Sequence, residues 1–169
     1  MTKTFLKIAL AFILSLGFTN SQAQKFGHVN SNDLLSMMPE VKVADSTLDT
    51  YQKGLEELNQ SMVTEYSAKL ATYQTDGPKW SEEKRQVEEA ALADLENRIQ
   101  KFQASAQDKF QSKKDEIYTP ILKKAEDAIK AVAKENGYAY VFDLSVGAVI
   151  YAQDSDNIMD LVKKKLGLK

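Results

Sequence analysis

The stretch 41-VKVADSTLDTYQKGLEELNQSMVTEYSAKLATYQTDGPKW-80 decides the fold. Its apolar residues are Val41, Ala44, Leu48, Tyr51, Leu55, Leu58, Met62, Tyr66, Leu70 and Tyr73, always three or four apart. Such alternation gives a helix one narrow apolar seam and a solvated remainder. The successive gaps of four after Leu58 form a stutter, which locally relaxes a supercoil. Asp76-Gly77-Pro78 is the strong breaker inside the region. Beyond it, Val87, Ala91, Leu95, Ile99, Phe102, Ala106, Phe110 and Ile117 resume the helical spacing. The chain therefore folds back at Gly77–Pro78, and Ser81 caps a second arm with Glu82 and Glu83 in its first turn. At a rise of about 1.5 Å per residue the first arm is roughly 50 Å long. Two thin arms bury their stripes on each other and enclose no compact core, so the hairpin projects into solvent.

The 169-residue chain has no Cys and a formal charge of −2. Lys3 and Lys7 precede an apolar run from Ile8 to Phe18, and Ser21 and Ala23 supply small residues for a cleavage site. Residues 1–23 read as a cleaved secretory signal peptide, cut between Ala23 and Gln24. The apolar run is too short for a bilayer, which needs about twenty residues. Cleavage removes two of 22 basic residues and none of 24 acidic ones, so the charge moves to −4. A mildly acidic exported chain has no general electrostatic attraction for nucleic acid. Without Cys there is no disulfide framework, no thiol chemistry and no lipid-modified cysteine.

Upstream of the arms, Lys25 to Asn30 reads as a short strand with Phe26 and His28 on one face, Gly27 and Val29 on the other. Asn30 or Ser31 caps a helical turn through Met38, and Pro39 begins the first arm. Downstream, Pro120 is expected to kink or break the second arm near Tyr118–Thr119. A shorter helix then continues through Ile121, Ala125, Ile129 and Val132, ending at Asn136-Gly137. Tyr138–Phe142 and Ala148–Tyr151 are rich in aromatic and β-branched residues, and 143–147 between them suggests a hairpin. Ser155 is expected to cap a last helix to Leu166, with Ile158, Leu161, Val162 and Leu166 as its buried stripe. Lys163, Lys164 and Lys165 suit that helix's C-terminal dipole.

The fold class is α+β and mostly α: a small β body with a long projecting antiparallel helical hairpin. The body is 24–38 plus 120–169, and the arm is 39–119. A body of about sixty-five residues is marginal alone, and its short strands leave edges that a monomer must hide. Oligomerisation through the sheet answers both needs.

No constellation points to catalysis. His28 is the single histidine, and nothing places a nucleophile beside it. Asp154-x-Asp156 begins like a calcium loop, but Met159 and Lys165 stand where Gly and Glu are required, so helix capping is the better reading. There is no phosphate loop and no metal-ligand spacing, so no cofactor or metal is expected.

Gln24-Lys25-Phe26-Gly27-His28-Val29-Asn30-Ser31, Met38-Pro39-Glu40-Val41, Thr119-Pro120-Ile121 and Asn136-Gly137-Tyr138, with Tyr140-Val141-Phe142-Asp143, resemble the Skp/OmpH family of periplasmic chaperones. The likeness runs through the mature chain in order, and the layout of strand, hairpin, strands and terminal helix carries more of it than any short motif. The resemblance implies a homotrimer whose strands build a small central barrel; Phe26, His28, Tyr140, Phe142, Val149 and Tyr151 are the candidate barrel residues. It implies three arms around a cavity that holds unfolded outer-membrane β-barrel proteins without ATP. Tyr73, Trp80, Tyr66, Met62 and Phe102 are then candidate client contacts, although apolar stripes usually fill the seam between arms. The best-known relatives have basic arms, whereas this mature chain is acidic, so lipopolysaccharide binding is not carried over and membrane-surface contact should be weak. A competing expectation is an exported trimeric coiled-coil spacer or adaptor that binds one folded envelope partner.

Overall fold

A computed structural model describes residues 24–168. The signal-peptide reading of residues 1–23 lies outside the described residues. The elements run β1 (Lys25–Val29), α1 (Ser31–Met37), α2 (Pro39–Asp76), α3 (Glu82–Glu135), β2 (Tyr138–Asp143) and α4 (Met159–Leu166), with short 3₁₀ turns at Gly77–Lys79, Leu144–Val146 and Asp154–Asp156. No helix among them is long and apolar enough to cross a membrane.

The fold-back sits where the breaker predicts. Gly77–Lys79 closes the turn and the Ser81 hydroxyl accepts the Lys84 N–H, capping α3. The two helices then pair along a thin seam. Ala44, Leu48 and Met62 of α2 and Leu92 and Leu95 of α3 are buried, whereas Leu58 and Val87 are exposed although the spacing assigns them to it. Between Leu48 and Met62 nothing on α2 is buried, so the seam is packed near the head and again further out, and slack in between. Polar clasps supplement it: Lys124–Glu40 and Tyr118–Asp45 near the head, Gln103 to Asn59 at 3.1 Å midway, and Tyr73–Glu89 near the tip. All are exposed, so each contributes little.

Pro120 does not break the second arm. α3 runs unbroken for 54 residues through it. Pro120 and Thr119 lie on the exposed side, where water can serve the carbonyl that a proline leaves unbonded, while Ile117, Tyr118 and Ile121 pack against the core on either side. The cost of the missing hydrogen bond is met by packing around it.

The core lies in the head, where Val29, Leu34, Met38, Ile158 and Val162 are almost fully buried with Ile121, Ala125, Ala128 and Val132 of α3. Asn30 caps α1 by accepting the Asn32 and Asp33 N–H groups. Gly137 takes a φ of 70°, the left-handed conformation that lets the chain leave α3 and enter β2 directly.

The expected 138–151 hairpin is not formed. β2 instead pairs in parallel with β1, with Phe26 opposite Tyr140 and His28 opposite Phe142. The Asp143 side chain accepts the Ser145 N–H, and the 3₁₀ turn after it ends at Gly147, φ 69°, which sends the chain away from β2. The other edge of β1 is met by Asn157 through a parallel bridge with His28. Val149 and Tyr151 therefore belong to no strand within the chain. Ser155 does not cap the last helix either: the Asn157 side chain accepts the Met159 N–H at 2.8 Å, and α4 starts there.

Gly27 is fixed by close approach. A Cβ there would meet Ile158 Cγ2 and the Tyr138 ring at 3.0 Å each. Gly27→Ala should cost about 1–3 kcal/mol by overpacking, read as a lower urea midpoint with an unchanged slope.

Candidate functional site

Two surfaces of the chain are unusual: the aromatic face of the sheet, and the slack middle of the arm.

On the sheet, strand alternation brings Phe26, Tyr140 and Phe142 to one face. Their ring centroids lie 5.9 to 6.5 Å apart. They remain 44, 58 and 46% exposed. The facing segment adds Ile150 and Tyr151, which stand almost free in solvent, while Val149 is half-buried. An aromatic cleft runs between sheet and segment, from Phe26 and Phe142 to Val149 and Tyr151. His28 shares the face but is buried. Its Nε2 lies 2.9 Å from the Gln153 carbonyl, which can only accept, so Nε2 carries the proton. Nδ1 is buried without a hydrogen-bond partner. The Ile158 N–H also donates to the His28 carbonyl at 2.9 Å. His28 thus anchors segment 153–158 against β1, a role its sequence position did not reveal.

The Asp143 carboxylate ties β2 to α1. It accepts the Ser31 N–H at 3.0 Å, the Ser31 hydroxyl at 2.5 Å and the Ser145 N–H at 2.9 Å. Burial alone would raise its pKa, but these donors outweigh burial and bring it down to about 2. A depressed carboxylate stabilises the fold above its unfolded value of about 3.9. That contribution, on the order of 1 kcal/mol after allowing for solvent screening, is lost as pH falls from about 4 towards 2. Asp143→Asn should flatten the urea-midpoint profile across that window while leaving the shape of the profile above pH 5 unchanged.

On the arm, the five sequence candidates have different settings. Met62 is buried in the seam, so it faces α3 rather than solvent. Tyr66 and Phe102 are half-buried. Tyr73 and Trp80 meet edge to face at the tip, centroids 6.0 Å apart, with Lys84 over the indole. The Tyr73 hydroxyl donates to Glu89, which raises its pKa above the ordinary tyrosine value. Spacing did not reveal the groove midway along the arm. It is floored by Leu55, Phe102, Ala106 and Phe110, and lies where the buried seam is interrupted.

The chain thus joins a small head to a long, narrow arm with a groove midway along it. Among the described residues, no group of His, Cys, Asp or Glu could hold a metal ion. The family described as outer membrane protein (OmpH-like) matches residues 25–166, and the chain belongs to it. The chaperone protein Skp of Pectobacterium atrosepticum is 27% identical over 97% of this chain and 99% of its own length. That of Photorhabdus laumondii subsp. laumondii is 32% identical over 94% of this chain and 93% of its own. An OmpH-like protein structure from Caulobacter crescentus superposes with a TM-score of 0.72 at 15% identity, covering 89% of this chain and 88% of that one, a likeness of fold. The class is chaperone, not enzyme.

Proposed function

We propose that this chain is an ATP-independent periplasmic holdase, exported by removal of residues 1–23, that shelters unfolded outer-membrane β-barrel proteins between its arms in transit. The observation that carries this reading is the arm itself. Helices of 38 and 54 residues are paired over a seam with few buried side chains, on the frame of a chain related end to end to Skp chaperones. Such an arm presents a long adaptable surface rather than a fixed pocket. Unfolded barrel strands aggregate through exposed apolar edges, and many weak contacts suffice to keep them apart.

The head acts as the association body, with three copies joined through Phe26, Tyr140 and Phe142 and through segment 148–151, which gains strand partners from a neighbour. Tyr73, Trp80, Tyr66 and Phe102 contact the client along the arm, and Met62 does so only where the seam parts.

The test is dilution of a denatured outer-membrane barrel protein into buffer with and without the purified chain. Light scattering should stay near baseline with it. Scattering that rises equally fast in both samples would sink the holdase reading.

A further inference from the structure

We infer that the arm selects unfolded segments that combine apolar side chains with net positive charge, taking them at the mid-arm groove and along the acidic outer half of the arm. This rests on the holdase reading and narrows its client class.

The charge of the arm is unevenly placed. Residues 54–98, the outer half, carry ten carboxylates and five basic groups. Residues 39–53 and 99–119, the inner half, carry six of each. The arm's net charge of −5 therefore lies wholly in the outer half. Pairing does not cancel it. In that half, Asp76 meets Lys79 and Glu82 meets Arg85. Among the described residues, the other eight carboxylates have no basic group within 4.0 Å, against three unpaired cations, Lys69, Lys84 and Arg98. Glu56, Glu57, Glu65, Asp94 and Glu96 are all exposed. With a Debye length of about 8 Å at physiological salt, charges this dense along a rod sum to a continuous negative potential near its surface.

The groove opens at the boundary of that field. Its floor is Leu55, Phe102, Ala106 and Phe110, and its rim is side-chain amides with one carboxylate, Glu56. No basic residue lines it. The amides can hydrogen-bond an extended backbone of any sequence, and the floor takes apolar side chains. The arm's own lysines show what its aromatic faces accept: Lys109 Nζ lies 4.9 Å from the centroid of Phe102, and Lys84 Nζ 4.3 Å from that of Trp80. A lysine or arginine of a bound chain can make the same contact. Apolar floor, an amide rim with a single carboxylate, cation-accepting rings and negative field together fit an extended cationic chain, and they disfavour an acidic one by like-charge repulsion.

The test uses two unstructured fluorescent peptides with one apolar pattern, their charged positions filled with Lys in one and Glu in the other. Anisotropy titrations are run against the mature protein. The Lys peptide should bind about tenfold or more tighter at low salt, with the gap shrinking to about twofold in 0.5 M salt. The variant E56Q/E57Q/E65Q/D94N/E96Q changes only exposed side chains. It should melt within a few degrees of the parent and lose most of the preference, and Phe102→Ala should weaken both peptides. Equal or tighter binding of the Glu peptide overturns the inference, as does a preference that survives neutralisation. If a denatured barrel is still kept soluble in either case, the holdase reading stands and only the charge selectivity fails. If neither peptide nor denatured barrel is held, both fail together.

Discussion

Replacing Tyr140 and Phe142 together by Asp should reduce the protein to a folded monomer that no longer suppresses aggregation. The two rings and Phe26 form one stacked patch about half open to solvent. A fully buried aromatic side chain removes about 150–250 Å² from water. At about 25 cal/mol per Å², covering the remaining half of each ring is worth about 2 kcal/mol, before counting Ile150 and Tyr151 opposite. Three such rings on each copy would supply a substantial fraction of the free energy of the proposed assembly. An Asp at each of two positions removes that gain and requires a carboxylate to be buried without a partner. The intrachain core is on the other side of the sheet, around Leu34 and Val162, so the helical circular dichroism should persist. Light scattering coupled to size exclusion would show the mass fall to that of one chain. An unchanged mass would place the association elsewhere, and with it the container.

What the sequence made legible follows from the range of the interactions involved. Helix periodicity, the Gly77–Pro78 fold-back, the Ser81 cap and the Gly137 exit are local, and all are where the residues put them. The seam was read correctly at Ala44, Leu48, Met62 and Leu95, but not at Leu58 and Val87. On α3 the buried stripe departs from strict spacing, and Leu92, five residues after Val87, packs in its place. Pro120 was read from its local penalty alone, whereas Ile117 and Ile121 on either side outweigh it. The strands show the sharpest limit. Tyr138–Phe142 has strand chemistry, but its partner β1 lies more than a hundred residues away. The segment at 148–151 has the same chemistry and no strand partner among the described residues, which is itself an argument for a second copy. The slack groove could not be read either. It is defined by side chains of α2 and α3 that fail to fill the space between them, and its signal in hindsight is the long gap between buried positions 48 and 62.

Leu34→Ala should cost about 2–5 kcal/mol, the range for a leucine truncated in a packed core. Leu34 is fully buried in the head core together with Met38, Val29, Ile158 and Val162. A small domain is stable by about 5–15 kcal/mol in all, so this one change removes a large part of it. The loss should not stop at the head. The arm seam has few fully buried residues, and long helices paired that thinly depend on their anchored end. Urea unfolding followed at 222 nm should therefore show one transition moved to a lower midpoint, with the arm melting alongside the head. Met62→Ala makes the comparison: although buried, it lies in a seam one side chain thick, which water and neighbouring residues can refill, so its cost should be about 1 kcal/mol. If Met62→Ala proved the more damaging, the arm would hold itself together and the head would only tether it. A self-sufficient arm of that kind would be stiff along its whole length, and the mid-arm groove would then keep one fixed shape instead of adapting to a passing chain.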